Sequence, residues 1–208
     1  MVILGLTGSI GMGKSTAAAM LRRQGVPVHD ADAAVHRLLA KGGAAVEAVG
    51  RAFPGVVRDG AVDRAALGKI VFNDPVALRK LEAILHPMVR AETDRFLAVS
   101  ARARRRVVVL DIPLLFERGN QRRCDGVIVV SAPPFLQAQR VLRRPGMTPG
   151  RFAAIQASQM PDREKRRRAD TVVTSGLGKG CTHRQLARVL RAARNSRGKV
   201  WRPGYSYR

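Results

Sequence analysis

Residues Gly8 to Ser15 read Gly-Ser-Ile-Gly-Met-Gly-Lys-Ser, a complete match to G-x-x-x-x-G-K-[ST]. Gly8, Gly11 and Gly13 let the backbone pass close to phosphate oxygens, so that successive N–H groups and the positive end of the following helix converge on one anion. A triphosphate suits that cradle. Lys14 reaches its outer phosphates, and the Ser15 hydroxyl completes the shell of a magnesium ion bridging them. Phosphoryl transfer then needs an acceptor held in line, a carboxylate to orient it, and cations over the moving oxygens.

Asp30 and Asp32 stand two residues apart, sharing a face if the chain is extended and separated if a helix begins there. One can orient or deprotonate an acceptor hydroxyl while the other holds magnesium waters or caps the following helix. Asp32, nearer that helix, is the candidate base; two capping carboxylates are the competing reading. Arg140, Arg143 and Arg144 precede a Pro145-Gly146 break, where a closing segment would bring guanidinium groups over the phosphates. His86 reads as a ligand contact, a general base or a helix cap, and the residues alone favour the cap. Asp111 ends an apolar run without a second acid after it, which disfavours an ATPase-motor site but leaves it a place near magnesium.

These residues need a scaffold that brings strand ends together. Apolar runs recur at Val2 to Leu6, Val26 to Val28, Val107 to Leu110, Val127 to Val130 and Thr171 to Val173, separated by helical patterns. Near-continuous apolar strands alternating with helices predict an α/β fold with a mainly parallel five-stranded sheet covered on both faces, its functional residues at the strands' C-terminal ends. The phosphate loop, the Asp30–Asp32 stretch and Asp111 all meet that condition. A helix from Lys14 to about Gln24, capped by Gly25, follows the loop. The stretch from Ala33 to Ala103 reads as almost entirely helical, with Asp74 and Pro75 starting a helix that Pro87 breaks or kinks. The expected organisation is one domain: core 1–32, 105–134 and 170–195, a helical substrate-binding insertion at about 33–104, a helical lid at about 135–169, and a loosely ordered basic tail at 196–208.

With 208 residues and 46% hydrophobic content, the chain can bury a substantial core. No apolar run approaches the roughly 18 residues needed to cross a bilayer, and no charged leader precedes the loop, so the expected location is cytoplasmic. Cys124 and Cys181, far apart, are expected as free thiols. The net charge is +23, with nine basic residues against three acids between Ala138 and Asp170 and no acid beyond Asp170. Such an excess draws in an anionic substrate, binds nucleic acid nonspecifically, or reflects composition alone. Without an aromatic-interleaved basic strand or a recognition helix, no specific nucleic-acid partner is expected.

Taken together, several segments resemble the dephospho-CoA kinase family: Gly5 to Thr16, Asp30-Ala31-Asp32, Leu85-His86-Pro87, Asp111-Ile112-Pro113-Leu114-Leu115-Phe116-Glu117, and Gln159 followed by Glu164-Lys165 and Ala169-Asp170. The phosphate loop alone is shared by many kinases, whereas the other segments together are far more specific. The resemblance implies ATP as donor, magnesium, and the ribose 3′-hydroxyl of dephospho-CoA as acceptor, in the last step of coenzyme A synthesis. It implies Asp32 as catalytic aspartate, Gly8 and Gly11 to Thr16 as the ATP loop, His86, Pro87 and Leu114 on the acceptor side, and Arg140 and Arg144 in a lid. A monomer or weak homo-oligomer is expected. Another small-molecule or nucleoside monophosphate kinase, and a nucleic-acid-binding NTPase, are the alternatives. Ser9 and Met12 depart from the family's usual glycine and small residue, and should be tolerated. His36 replaces a usual arginine and Ser175 a typical asparagine, which puts in question a permanent charge near the acceptor and an adenine contact.

Overall fold

The computed structural model describes residues 1–72 and 74–201 of the chain. They form two compact units, one from residues 1–29 and the described residues from 100 onward, the other from those of 30–99. In the first unit, strand β1 (Val2–Thr7) leads through the loop into helix α1 (Lys14–Arg23) and on to β2 (Val28–Asp30). After the second unit come β5 (Val107–Asp111), a 3-10 turn (Asn120–Arg123), β6 (Gly126–Ser131), helices α6 (Pro134–Leu142), α7 (Pro149–Ala157) and α8 (Asp162–Arg168), β7 (Thr171–Thr174) and α9 (Lys179–Arg194). The sheet order is β2-β5-β1-β6-β7, with β1 parallel to both β5 and β6, and β6 parallel to β7. This is the expected five-stranded arrangement, and it puts the end of β1 between the ends of β5 and β6.

Alternation along the strands sorts the core. Val2, Leu4 and Leu6 of β1, with Ile128 and Val130 of β6, pack against Ala17 and Leu21 of α1 and Leu186 and Leu190 of α9. Val127 and Val129 point to the other face, against Leu115 and Phe116, as the two-residue period of a strand requires. Because both faces are covered, the strands read as unbroken apolar runs. Helix α1 ends where expected: Gln24 is its C-cap and Gly25 takes φ +75°.

The second unit contains α2 (Ala31–Leu39), α3 (Val46–Ala52), the strands β3 (Val57–Arg58) and β4 (Ala61–Val62), α4 (Arg64–Phe72) and most of α5 (Pro75–Arg102). Its core gathers Leu38, Leu39, Val49, Phe53, Leu67, Leu81 and Leu85. Two expectations are corrected here. The stretch is not all helical, since β3 and β4 pair as an antiparallel hairpin whose turn places Asp59 at φ 50° and Gly60 at φ 76°; Asp-Gly is the pair that supplies two left-handed residues. Of the two outcomes expected at Pro87, the break is overturned, because α5 runs through it. Proline lacks the N–H that would bond the Ala83 carbonyl, and both residues are exposed, where water can take that bond. His86 is therefore mid-helix and caps nothing. Asp74 does begin α5, accepting from the N–H groups of Val76 and Ala77.

The stretch read as one helical excursion from Phe135 is three helices, with the Pro145-Gly146 break between α6 and α7. Both cysteines are free. Of the basic tail, Lys199 and Val200 donate their backbone N–H groups to Asp125, so this part is anchored rather than loose; residues 202–208 lie outside those described.

Candidate active site

The first turn of α1 has no acidic residue, and its N-cap Gly13 offers no side chain. The leading N–H groups of a helix lack intrahelical acceptors, so Lys14, Ser15 and Thr16 present theirs, with the positive end of the dipole, to whatever anion the loop receives. Ser15 and Thr16 are exposed. Lys14 Nζ lies 2.6 Å from Asp111 Oδ1 at the end of the neighbouring strand. The Asp111 side chain is only 3% exposed, and the pair fixes the direction of the ammonium. Gly11 and Gly13 adopt φ +77° and +91°, conformations that a Cβ would strain.

The segment after α5 fixes the loop from its flank. Arg140 of α6 donates through Nη1 to Ser175 Oγ (2.9 Å) and to the Gly11 carbonyl (3.4 Å), and through Nη2 to the Ser175 carbonyl (2.9 Å). Ser175 Oγ in turn donates to the Met12 carbonyl at 2.6 Å. The serine that departs from the family pattern thus joins Arg140 to the loop. Met12 is buried, and its Sδ accepts from the Ala132 N–H at 3.1 Å, so the large residue at this variable position is absorbed by the end of β6. Ser9 is also accommodated, though its Oγ is buried with no partner among the described residues. Arg143 and Arg144 are exposed just past the end of α6.

Beyond Asp111, Thr7 Oγ1 donates to the Pro113 carbonyl at 2.8 Å. Lys165 of α8, wholly buried, reaches Glu117 Oε1 at 2.9 Å and the Pro113 carbonyl at 3.4 Å; the Met160 N–H also donates to Glu117 Oε1, at 2.8 Å. Burial pushes the Glu117 carboxyl up, but the Lys165 hydrogen bond and backbone N–H groups outweigh it and leave the group below its ordinary value. Leu114, half-buried, sits inside this braced segment. Sequence reasoning gave Lys165 and Gln159 no role of their own and passed over Gln137. A lysine in an arginine-rich run, a glutamine on α6 and another just past the C-cap of α7 carry no local sign of the contacts they make.

In the second unit, Asp30 is the N-cap of α2, accepting from the Ala33 N–H at 3.0 Å. The helix begins at once, so Asp30 and Asp32 do not share an extended face. Asp32 is exposed in the first turn; His86 and Pro87 are exposed on α5. The charge missing at His36 is present nearby: Arg64 Nη1 donates to His36 Nδ1 at 3.2 Å, whereas adjacent Arg37 pairs with Glu92 at 2.5 Å.

The family model described as dephospho-CoA kinase matches residues 2–178. The chain belongs to the dephospho-CoA kinase family. The dephospho-CoA kinase of Rhodospirillum rubrum is 57% identical over 205 residues, covering 98% of this chain and 96% of that one. That of Paramagnetospirillum magneticum is 71% identical over 166 residues, 80% of this chain and 78% of its own. Among solved structures, TT1252 from Thermus thermophilus superposes with a TM-score of 0.80 at 39% identity, over 92% of this chain and 96% of that one. Membership of the dephospho-CoA kinase family makes the protein a nucleotide-binding transferase of the kinase class, and sets aside the nucleic-acid-binding NTPase.

Proposed function

We propose that the protein transfers the terminal phosphoryl group of ATP to the ribose 3′-hydroxyl of dephospho-CoA, the last step of coenzyme A synthesis. The observation that carries the donor half is the Lys14 ammonium, held by Asp111 beside the uncapped start of α1. Family membership supports the acceptor.

In this reading the N–H groups of the loop and of Lys14, Ser15 and Thr16 bind the triphosphate, and Lys14 exchanges Asp111 for the outer phosphate oxygens. Asp32 takes the proton from the acceptor hydroxyl as its oxygen bonds to the terminal phosphorus, while the bond from that phosphorus to the bridging oxygen breaks and ADP leaves. Arg140 and Arg144 counter the charge on the transferring group. His86 and Pro87 of the helical insertion at about 33–104, together with Leu114, contact the acceptor, and the lid at about 135–169 excludes water. Ser15 and Asp111 are few protein ligands for a metal, which fits magnesium, an ion that keeps its waters and binds largely through substrate phosphates. Bound there, it would neutralise charge on the transferred phosphate. The site of action is the cytoplasm, as a monomer or weak homo-oligomer.

ADP release measured across dephospho-CoA, shikimate and nucleoside monophosphates, with the product phosphate located by NMR, tests the reading. Turnover is expected with dephospho-CoA, the new phosphate lying on the ribose 3′-oxygen. No turnover with it would sink the acceptor assignment.

A further inference from the structure

One residue of the loop is gripped by side chains at both ends of its backbone. The Ile10 N–H donates to Gln159 Oε1 at 3.0 Å, and the Ile10 carbonyl accepts from Gln137 Nε2 at 2.9 Å. An N–H can only donate and a carbonyl only accept, so the two amides must face the loop in opposite senses. Gln137 has a second restraint: it is 4% exposed, and its Oε1 accepts from Gln156 Nε2 at 3.2 Å. Close approach of α6 is built in, because a Cβ at Gly11 would come within 2.5 Å of Val141 Cγ2 and 3.0 Å of the Gln137 carbonyl oxygen.

A phosphate cradle works only while its N–H dipoles point at the anion and its carbonyls point away. A freed Ile10 carbonyl could swing toward the triphosphate and set its partial negative charge against it. We infer that Gln137 is a positioning residue for the reaction: by capturing the Ile10 carbonyl from α6, it keeps the loop's donors aimed at the nucleotide phosphates. Gln159 secures the other end of the same residue. The inference rests on the reading of the loop as a triphosphate site and adds a residue that touches no substrate.

Gln137→Glu and Gln159→Glu separate this role from a charge effect. Both are nearly isosteric and both add one negative charge near the loop, but only the first removes the donor to the Ile10 carbonyl; the second keeps an acceptor for the Ile10 N–H. By titration calorimetry with ATP, Gln137→Glu should weaken binding about 10- to 100-fold, the range for a lost hydrogen bond that leaves its partner exposed to the wrong charge. Gln159→Glu should show a loss at least fivefold smaller. KM for ATP should follow, with KM for dephospho-CoA held. Gln137→Met, which removes the donor without adding charge, should also weaken ATP binding while melting within a few degrees of the unaltered protein. Equal weakening by the two glutamates, or ATP binding unchanged in Gln137→Met, would overturn the inference while leaving the loop reading intact. Failure of the unaltered protein to bind ATP would remove both.

Discussion

Around the phosphate loop, backbone groups are held by side chains brought from distant parts of the first unit: Gln137 and Gln159 on Ile10, Arg140 on Gly11, Ser175 on Met12. In the helical unit, the candidate acceptor residues Asp32, His86 and Pro87 stand exposed on α2 and α5, and the polar contacts of this unit include a helix cap at Asp30 and the pairs Arg64 with His36 and Arg37 with Glu92. The loop is held by partly buried polar contacts, which fix the orientation of its backbone groups. The helical unit offers its candidates as exposed side chains on helix surfaces. Substitutions should therefore act through geometry in the first unit, and through the deleted group alone in the second.

The largest effect tests the donor side directly. Lys14→Ala should lower kcat by about 10³ or more, the scale of a lost transition-state charge contact, and weaken ATP binding as well; unchanged steady-state kinetics would break the comparison at its strongest point. Next, Asp32→Asn should reduce kcat by about 10² or more, in the range for a positioned acid–base group, with ATP affinity and melting temperature nearly unaltered. Turnover within a few-fold of the unaltered protein would remove Asp32 from the mechanism.

A third substitution sharpens the contrast between buried and exposed charge. Lys165→Met leaves the Glu117 carboxylate without its ammonium and should cost about 3 kcal/mol, seen as a melting temperature lowered by about 6–12 °C. Because a buried pair is often replaceable by apolar groups, Lys165→Met with Glu117→Leu should recover most of that loss; a double variant as unstable as the single one would show that the pair itself, rather than the stranded charge, is needed. By comparison, Glu47→Ala, which breaks an exposed ion pair with Arg51 on α3, should move stability by no more than about 0.5 kcal/mol.

The smallest expected effect is the pH dependence from Glu117. Its folded pKa lies below the ordinary glutamate value of 4.5, so in the interval between the two values the unfolded chain binds more protons. The contribution is complete above 4.5 and disappears as pH falls through the folded value. Chemical denaturation between pH 3 and 6 should show this loss in the unaltered protein and a shallower one in the Lys165→Met, Glu117→Leu double variant. Identical slopes would mean that the carboxylate is not held down in the folded state.

The parts legible in the sequence were those whose physics is local. A glycine-spaced loop after an apolar strand, the Gly25 cap and the Asp74 helix start each depend on neighbouring residues, and each appears where expected. The β3–β4 hairpin was also marked locally, by Asp59-Gly60, but strands of two residues give no alternation to read against a helical background. The passage of α5 through Pro87 was not legible, because proline locally favours a kink or a break, and the 28-residue helix that buries its Leu81 and Leu85 in the core continues past it.

By itself, then, the sequence determined the glycine-spaced loop after β1, the chain order of the five core strands, and the pair of aspartates after β2. Only tertiary structure decided that Asp111 holds Lys14, that Ser175 links Arg140 to the loop, and that Gln137 and Lys165 are buried. Those contacts join residues 35 to 163 positions apart. No local propensity records them, because the free energy of a buried amide or ammonium depends on partners that only folding brings within hydrogen-bonding distance.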